Sequence, residues 1–269
     1  MDDVKRRLIS IGTTAYVALF LLWMVAPLIV VALFSFHSSP SLSLPFRGFS
    51  FRWYRALAND EVVQAATRNS ILVGAGVALA SLLVGLVSAI AVTRSRSRSS
   101  RTLLPALLVP IMLPGLLIGV MLLLWFATIG APLSLFTVIC AQTLYVMPYT
   151  VLVLRARLAD VDLSLEEAAR DLGSTRIGAL LRITVPIIAP ALIGAAVLAF
   201  ALSLDEFVIT FFVIGNQSTL PMMVWSMLRT ITLTPEVNAI STLLMLATTG
   251  LILVALALYA LGGARRGRR

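Results

Sequence analysis

Long apolar runs separated by short polar stretches make up most of this chain. Each run reaches the roughly 20 residues that an α-helix needs to cross a bilayer. Only helices and closed barrels satisfy their backbone hydrogen bonds in lipid, and these runs are too long for barrel strands. The pattern therefore predicts an all-α integral membrane protein with six spans in one transmembrane domain, residues 1–269. The predicted spans are about 13–36, 70–93, 103–127, 132–154, 188–214 and 239–261.

Two of these spans have features that refine the prediction. The first run is longer than the ~7–15-residue core of a signal peptide, and no small-residue cleavage site closes it, so we interpret it as a retained helix. The third run contains Pro105, Pro110 and Pro114, and a kinked helix is expected there because proline removes a backbone hydrogen bond. Residues 37–68 should form a polar connection that ends in a short surface helix over residues 59–69.

Composition supports the membrane assignment independently. The chain of 269 residues is 59% hydrophobic, whereas soluble domains are about 45–50% apolar. The formal net charge is +9. The arginines stand in short clusters between apolar runs, which is typical of cytoplasmic loops and not of a nucleic-acid-binding surface. Membrane lipid is therefore the expected surrounding, and no nucleic-acid partner is expected.

The distribution of basic residues predicts the topology. If the N-terminus is inside, 16 of the 21 Lys and Arg residues fall in cytoplasmic segments and five fall outside. The cytoplasmic segments are then the start of the chain, the 94–101 loop, residues 155–187 and the C-terminal tail. Because cytoplasmic loops carry the excess of positive charge, both termini and residues 155–187 are expected in the cytoplasm.

The sequence offers few residues for chemistry. Lys5 is the only lysine, and no glycine precedes it in the spacing of a phosphate-binding loop, so the chain itself has no Walker A site. His37 is the only histidine and Cys140 the only cysteine, which excludes an internal disulfide and a cysteine-based zinc site. Neither H-E-x-x-H nor G-x-S-x-G occurs, which argues against an intramembrane enzyme. We expect no catalytic residue, no metal and no cofactor.

Residues 155–187 form a charged segment between two apolar runs. Ser164 followed three residues later by Glu167 has the pattern of a capping box, which predicts a helix start. One apolar stripe follows at helical spacing, and four charged residues lie off it. The stripe is Leu165, Ala168, Ala169 and Leu172, and the charged residues are Glu166, Glu167, Arg170 and Asp171.

A second short helix is predicted directly after the first. Gly173 can adopt the left-handed conformation that ends a helix. Ser174 or Thr175 can then cap the next helix, which runs toward Pro186. We name residues 155–187, with this helix-glycine-helix arrangement, the elbow, and we expect it to protrude from the membrane and contact a partner.

The elbow resembles a known signature. The spacing E-A-A, three residues, G, nine residues, I-x-L-P is similar to that of permease subunits of binding-protein-dependent ABC importers, with Val185 where the family usually has Leu. The resemblance implies that the elbow docks on a separate ATPase and passes its motion to the membrane helices. The residues that it assigns to docking are Ser164, Glu167, Ala168, Ala169, Leu172, Gly173 and Pro186.

The fifth predicted span carries two adjacent acids, Asp205 and Glu206, past its middle. Carboxylates at membrane depth are costly and usually face a bundle interior or water, so both are candidates for the substrate path. Since adjacent helical positions point about 100° apart, one could contact cargo while the other pairs within the protein. The alternatives are a structural pair with Arg229 or a protonated acid buried between helices.

Two strings resemble the spermidine/putrescine branch of the permease family, namely residues 203–208 around the two acids and residues 234–239 before the last span. Glu206 departs from the aspartate that is more frequent there. The resemblance implies a permease of the bacterial inner membrane with three partners: an ATPase dimer, a second permease and an external substrate-binding protein. Related branches carry ferric iron, aminoethylphosphonate or opines, so those cargoes remain alternatives, as does the less favoured stand-alone carrier or channel.

Overall fold

The structure is a computed structural model that describes residues 2–40, 44–94, 98–229 and 234–264. Within these ranges the chain is mostly helical, and its strand-like pairing is limited to an isolated bridge between His37 and Phe49. The predicted all-α class is therefore confirmed. The chain divides into two compact units, one of Met1–Asp60 with Val224–Leu243 and one of Glu61–Met223 with Leu244–Arg269.

The helices follow one another with short connections. In chain order they are α1 (Asp2–Phe34), α2 (Arg52–Asn59), α3 (Glu61–Arg94), α4 (Arg98–Met112), α5 (Gly115–Thr128), α6 (Leu135–Ala159), α7 (Ser164–Asp171), α8 (Arg176–Ala179), a π-helical turn (Leu180–Thr184), α9 (Val185–Asp205), α10 (Val208–Val213), α11 (Leu220–Leu228) and α12 (Pro235–Ala264).

Among the described residues, five helical stretches are long and apolar enough to cross a membrane. They are Ile11–Phe34, Glu61–Arg94, Leu135–Ala159, Arg176–Asp205 and Pro235–Ala255. The predicted third span is instead a pair of helices, Thr102–Met112 and Gly115–Thr128, that meet at an angle of 100°. The kink expected there is thus a full break, because Pro114 stands between the two helices in an extended conformation. Six spans result if this bent pair is one span, and the count of six stays a prediction.

Two predicted elements differ from the helices of the structure. The short surface helix expected over residues 59–69 does not exist as a separate element, since α3 runs without interruption from Glu61 into the span. The fifth span, expected over 188–214, ends as a helix at Asp205. Glu206 and Phe207 are not helical, and α10 follows them. We refer to residues 205–207 as the helix break.

The larger unit has its core between α3, α6 and α9. Small residues let these helices approach closely. A Cβ added at Gly85 on α3 would collide with the side chain of Thr150 on α6. At Gly119 on α5, an added Cβ would lie 3.3 Å from the Cα of Ile209, so this glycine lets α10 pack directly on α5. The helix that follows the helix break is therefore packed closely against α5.

The smaller unit contains an aromatic cluster around His37. The Trp53 indole N–H donates a hydrogen bond of 2.7 Å to the His37 carbonyl oxygen, and the Ser35 and Tyr54 hydroxyls are 2.7 Å apart. The Phe46 ring lies 5.1 Å from the imidazole. These contacts fold the segment after α1 onto α2, and they give the single histidine a structural role within this unit.

Candidate functional site

The elbow consists of α7, a left-handed glycine, α8 and the π-turn that leads into α9. Gly173 has φ +90°, the left-handed conformation expected from the sequence. The Thr175 hydroxyl accepts a hydrogen bond of 3.0 Å from the Gly178 backbone N–H and so caps α8. Pro186 lies in the first turn of α9, directly after the π-turn.

The predicted capping box at the start of α7 is absent. Ser164 is the first helical residue, and the residue before it, Leu163, makes no side-chain cap. The Asp162 carboxylate instead accepts a hydrogen bond of 2.9 Å from the Ser164 backbone N–H. This bond, and a further one from the Ser164 hydroxyl, hold the pKa of Asp162 below its usual range. The prediction failed because Asp162 forms its own local turn two residues earlier.

The apolar stripe of α7 faces away from the protein. Leu165 is 46% exposed and Leu172 is 90% exposed, while Ile177 on α8 is 70% exposed. Ala168 is also exposed, and Ala169 is partly covered. Together Leu165, Ala168, Leu172 and Ile177 form an exposed apolar surface at the elbow, the kind of surface that marks protein contact sites. We call these four residues the elbow surface.

The two adjacent glutamates of α7 lie in different environments. Glu167, which the resemblance assigns to docking, is exposed. The Glu166 carboxylate turns inward and forms an ion pair of 2.5 Å with Arg94, the last residue of α3. This pair leaves no signal in the sequence, since 72 residues separate its members and no local pattern connects them.

A pocket of about 450 Å³ lies beside this ion pair. Its charged residues, in addition to the pair itself, are Glu167, Arg170 and Arg176. Its apolar wall consists of Ile90, Leu163, Ile177 and Leu180. The pocket is thus concave and mixed in character, and it shares Ile177 with the apolar elbow surface.

At the helix break, Glu206 is occupied by contacts within the protein. One carboxylate oxygen accepts a hydrogen bond of 2.8 Å from the Ile209 N–H, and the other accepts one of 3.0 Å from the Thr210 N–H. The Thr210 hydroxyl adds a third, at 2.9 Å. Glu206 therefore caps the start of α10, where an anion is favoured by the helix dipole.

A buried polar chain links this cap to α6. Thr210 also accepts a hydrogen bond of 2.7 Å from the Gln142 side-chain amide, and the Ser203 hydroxyl donates to the Gln142 oxygen. Gln142 is 1% exposed and Thr210 is fully buried. Sequence analysis did not single out Gln142, although an amide inside an apolar run is a signal of a buried polar partner.

Asp205 is in the opposite situation. It is the last residue of α9 and is exposed. Within its own compact unit, no described residue forms a hydrogen bond or ion pair with its carboxylate. The C-terminal end of a helix disfavours an anion, so this position carries an unfavourable charge without local compensation. The two acids that the sequence treated as equivalent are thus one satisfied cap and one free carboxylate.

Comparison with known proteins assigns the family. A family model described as the inner membrane component of binding-protein-dependent transport systems matches residues 81–267. The chain belongs to this family. It is accordingly a multi-pass inner-membrane permease subunit of the ABC importer class.

Two similar permeases are polyamine transporters by name. The putrescine transport system permease protein PotI of Escherichia coli is 35% identical over 228 residues, which cover 82% of this chain and 80% of that protein. The spermidine/putrescine transport system permease protein PotC of Haemophilus influenzae is 31% identical over 229 residues, covering 85% of this chain and 88% of that protein.

Two solved structures share the fold of this permease. One belongs to a bacterial ABC transporter involved in the import of the acidic polysaccharide alginate, with a TM-score of 0.74, 17% identity and coverage of 93% and 96% of the two chains. The other belongs to the inward-facing MetNI methionine ABC transporter, with a TM-score of 0.62, 16% identity and coverage of 75% and 95%. At these identities the likeness concerns the fold alone.

Proposed function

We propose that this permease forms the path for a polyamine such as putrescine or spermidine. The observation that carries the cargo is the similarity to two named polyamine permeases, at 31–35% identity over more than four fifths of this chain. The chemistry of the helix break agrees with it. A free carboxylate suits an ammonium group, and Asp205 is exposed and makes no contact within its unit that neutralises it.

The remaining charges make such an acid necessary for a cationic cargo. The arginines at 47, 52, 55, 68 and 229, predicted on the outer side, repel a polyamine. A carboxylate in a pathway of low dielectric offsets this repulsion, because Coulomb interactions there are weakened less than in water. The attraction has to stay moderate so that cargo can leave toward the cytoplasm. Asp205 can attract the cation, and because Glu206 is already hydrogen-bonded as a helix cap, the attraction comes from one carboxylate and stays moderate.

Aromatic residues on α6 add a further feature that fits an ammonium ion. The rings of Tyr145 and Tyr149 are 6.0 Å apart, and both side chains are half-buried. Ring faces attract cations electrostatically. We include these tyrosines in the proposed path on the chemistry of their rings alone.

The second part of the proposal concerns energy coupling. The elbow surface docks on a separate ATPase dimer, with Glu167 beside it. A second permease completes the path, and an external binding protein delivers the cargo. The exposed leucines at 165 and 172 support docking, since an apolar surface of this kind is otherwise left in water. The proposed topology places both termini and the elbow in the cytoplasm, with six spans and transport by alternating access.

Transport in vesicles tests the cargo directly. The intact transporter, with its ATPase, second permease and binding protein, is reconstituted, and ATP-dependent uptake of labelled putrescine and spermidine is measured. We expect uptake that excess unlabelled polyamine suppresses and that ferric iron, aminoethylphosphonate or an opine does not. If only one of those three compounds suppresses uptake, that compound is the cargo and the polyamine assignment is wrong. Uptake without any ATPase would instead favour a stand-alone carrier.

A further inference from the structure

Three side chains from three separate segments meet at the base of the elbow. Arg94 ends α3, Glu166 lies in the first turn of α7, and Thr184 ends the π-turn before α9. We call this group the Arg94 clamp.

Each of the three side chains of the clamp contacts the other two. Arg94 Nη1 donates to Glu166 Oε2 at 2.6 Å, and Nη2 lies 2.5 Å from Oε1. Nη2 also donates to the Thr184 hydroxyl at 3.3 Å, and that hydroxyl donates to Glu166 Oε1. The guanidinium thus holds the carboxylate by two parallel bonds, the arrangement that fixes geometry best.

The clamp differs from an ordinary surface ion pair. The side chains of Arg94 and Glu166 are 19% and 14% exposed, and Thr184 is fully buried. Exposed pairs are screened, mobile and contribute little. The same region supplies one for comparison, because Arg157 and Asp160 are 3.6 Å apart and the aspartate is 68% exposed. Of these two pairs, the Arg94 clamp is the one held in place by partial burial and a third partner.

Its position connects the elbow to two helices of the bundle. α7 packs against α8 and the π-turn, whereas α3 packs against α6 and α9. Through Arg94 the first turn of α7 is attached to α3, and through Thr184 it is attached to the start of α9. Glu166 is adjacent to Glu167, which is exposed and also lines the pocket beside the ion pair. A displacement of α7 therefore acts on α3 as well as on α9.

We propose that the Arg94 clamp is the rigid link that passes the motion of the elbow to α3. Arg94 and Glu166 are then positioning residues for ATP-driven transport and not contacts to the ATPase. This inference rests on the proposed docking of the elbow. When the clamp is broken, α7 moves without α3, so ATP is hydrolysed while less cargo crosses.

The test measures labelled putrescine taken up per ATP hydrolysed by the intact transporter in vesicles. In the same preparations, co-purification of the ATPase reports docking. For Glu166→Gln and Arg94→Gln we expect uptake per ATP to fall about fivefold or more, the lower end of typical couplings between sites, with co-purification unchanged. The double variant Arg94→Glu with Glu166→Arg should restore most of the ratio, because the pair is re-formed with its charges exchanged.

Two further variants test whether the clamp variants lower transport only by disturbing the fold. Thr184→Val keeps the shape and removes the hydroxyl, so a smaller fall in the same direction is expected. Asp160→Asn breaks the exposed pair with Arg157 and should leave the ratio unchanged. The inference is overturned if uptake per ATP is unchanged in both Glu166→Gln and Arg94→Gln. It is also overturned if Thr184→Val or either of these single variants inserts normally but no longer co-purifies with the ATPase. Docking itself is tested separately by Leu172→Asp, since an ATPase that stays bound to this variant would refute the elbow surface.

Discussion

The elbow and the helix break both contain two adjacent acids, and in each region the two acids have separate roles. At the elbow, Glu166 is held by Arg94 while Glu167 is exposed. At the break, Glu206 caps α10 while Asp205 is exposed. The held acid fixes the backbone, and its neighbour is then presented in a defined place. In both regions, then, a bonded acid stands next to an exposed one.

The two regions differ in the sequence separation between the bonded acid and its partners. Glu206 bonds to backbone N–H groups three and four residues away and stabilises a local turn. Glu166 bonds to a side chain 72 residues away and joins separate helices. A local cap shapes one site, whereas a long-range ion pair couples the movement of two elements. This difference is why we assign the break to cargo and the clamp to coupling.

The largest effect should come from the free acid at the break. Asp205→Asn keeps the shape and removes the charge, and we expect polyamine uptake to fall about tenfold or more, a change of about 1.4 kcal/mol. Asp205→Glu retains the charge and should retain part of the uptake. The ATPase should co-purify normally with both variants. If Asp205→Asn takes up polyamine as the unmodified protein does, the assignment of this acid to cargo is wrong.

The next effect concerns how the elbow presents its surface. Gly173→Val places a β-branched residue at φ +90°, which costs about 1–2 kcal/mol, although no other atom lies within 4 Å of the added Cβ. Co-purification of the ATPase should decrease about 5–30-fold while membrane insertion is normal. Gly173→Asn is the control, because asparagine tolerates the left-handed conformation. Equal ATPase binding by both variants would contradict the role of the glycine.

The third prediction contrasts the stability contributions of the two acids at the break. Glu206→Gln removes a charged helix cap and should lower stability by about 1 kcal/mol. Asp205→Asn removes an anion from the C-terminal end of α9, so its stability should be unchanged or higher by about 0.3–1 kcal/mol. Thermal unfolding of the purified permease in detergent measures both. A larger loss in Asp205→Asn than in Glu206→Gln would reverse the roles that the structure gives them.

The smallest effect is expected at the start of α7. The hydrogen bonds from Ser164 lower the pKa of Asp162, so the ionised carboxylate stabilises the first turn of α7. This stabilisation is fully present above the ordinary aspartate pKa and is lost as the pH falls through the lowered pKa. Hydrogen exchange at the first turn of α7 should therefore become faster in acid. Asp162→Ala should remove this dependence, whereas Ser164→Ala should retain most of it, because the backbone bond stays. If both variants show the same hydrogen-exchange protection at the first turn of α7, the capping box would explain the start of this helix instead.

Local chemistry in the sequence was sufficient for several features. The length of the apolar runs determined the helical class, because lipid leaves the backbone no other partners. Gly173 and Thr175 ended one helix and began the next as predicted, since both act within a few residues of themselves. The signature of the elbow also indicated the family that the comparisons then established.

Only the tertiary structure decided which side of each element faces a neighbour. The stripe with Leu165 and Leu172 could have packed inward, and in the structure it faces outward while Glu166 is bound by Arg94. Asp205 and Glu206 looked alike in the sequence. They differ because the buried chain from Gln142 through Thr210 fixes one of them and ends the helix at the other. Hydrogen bonds between distant segments leave no periodic pattern in a sequence, so such choices become visible only when the chain is folded.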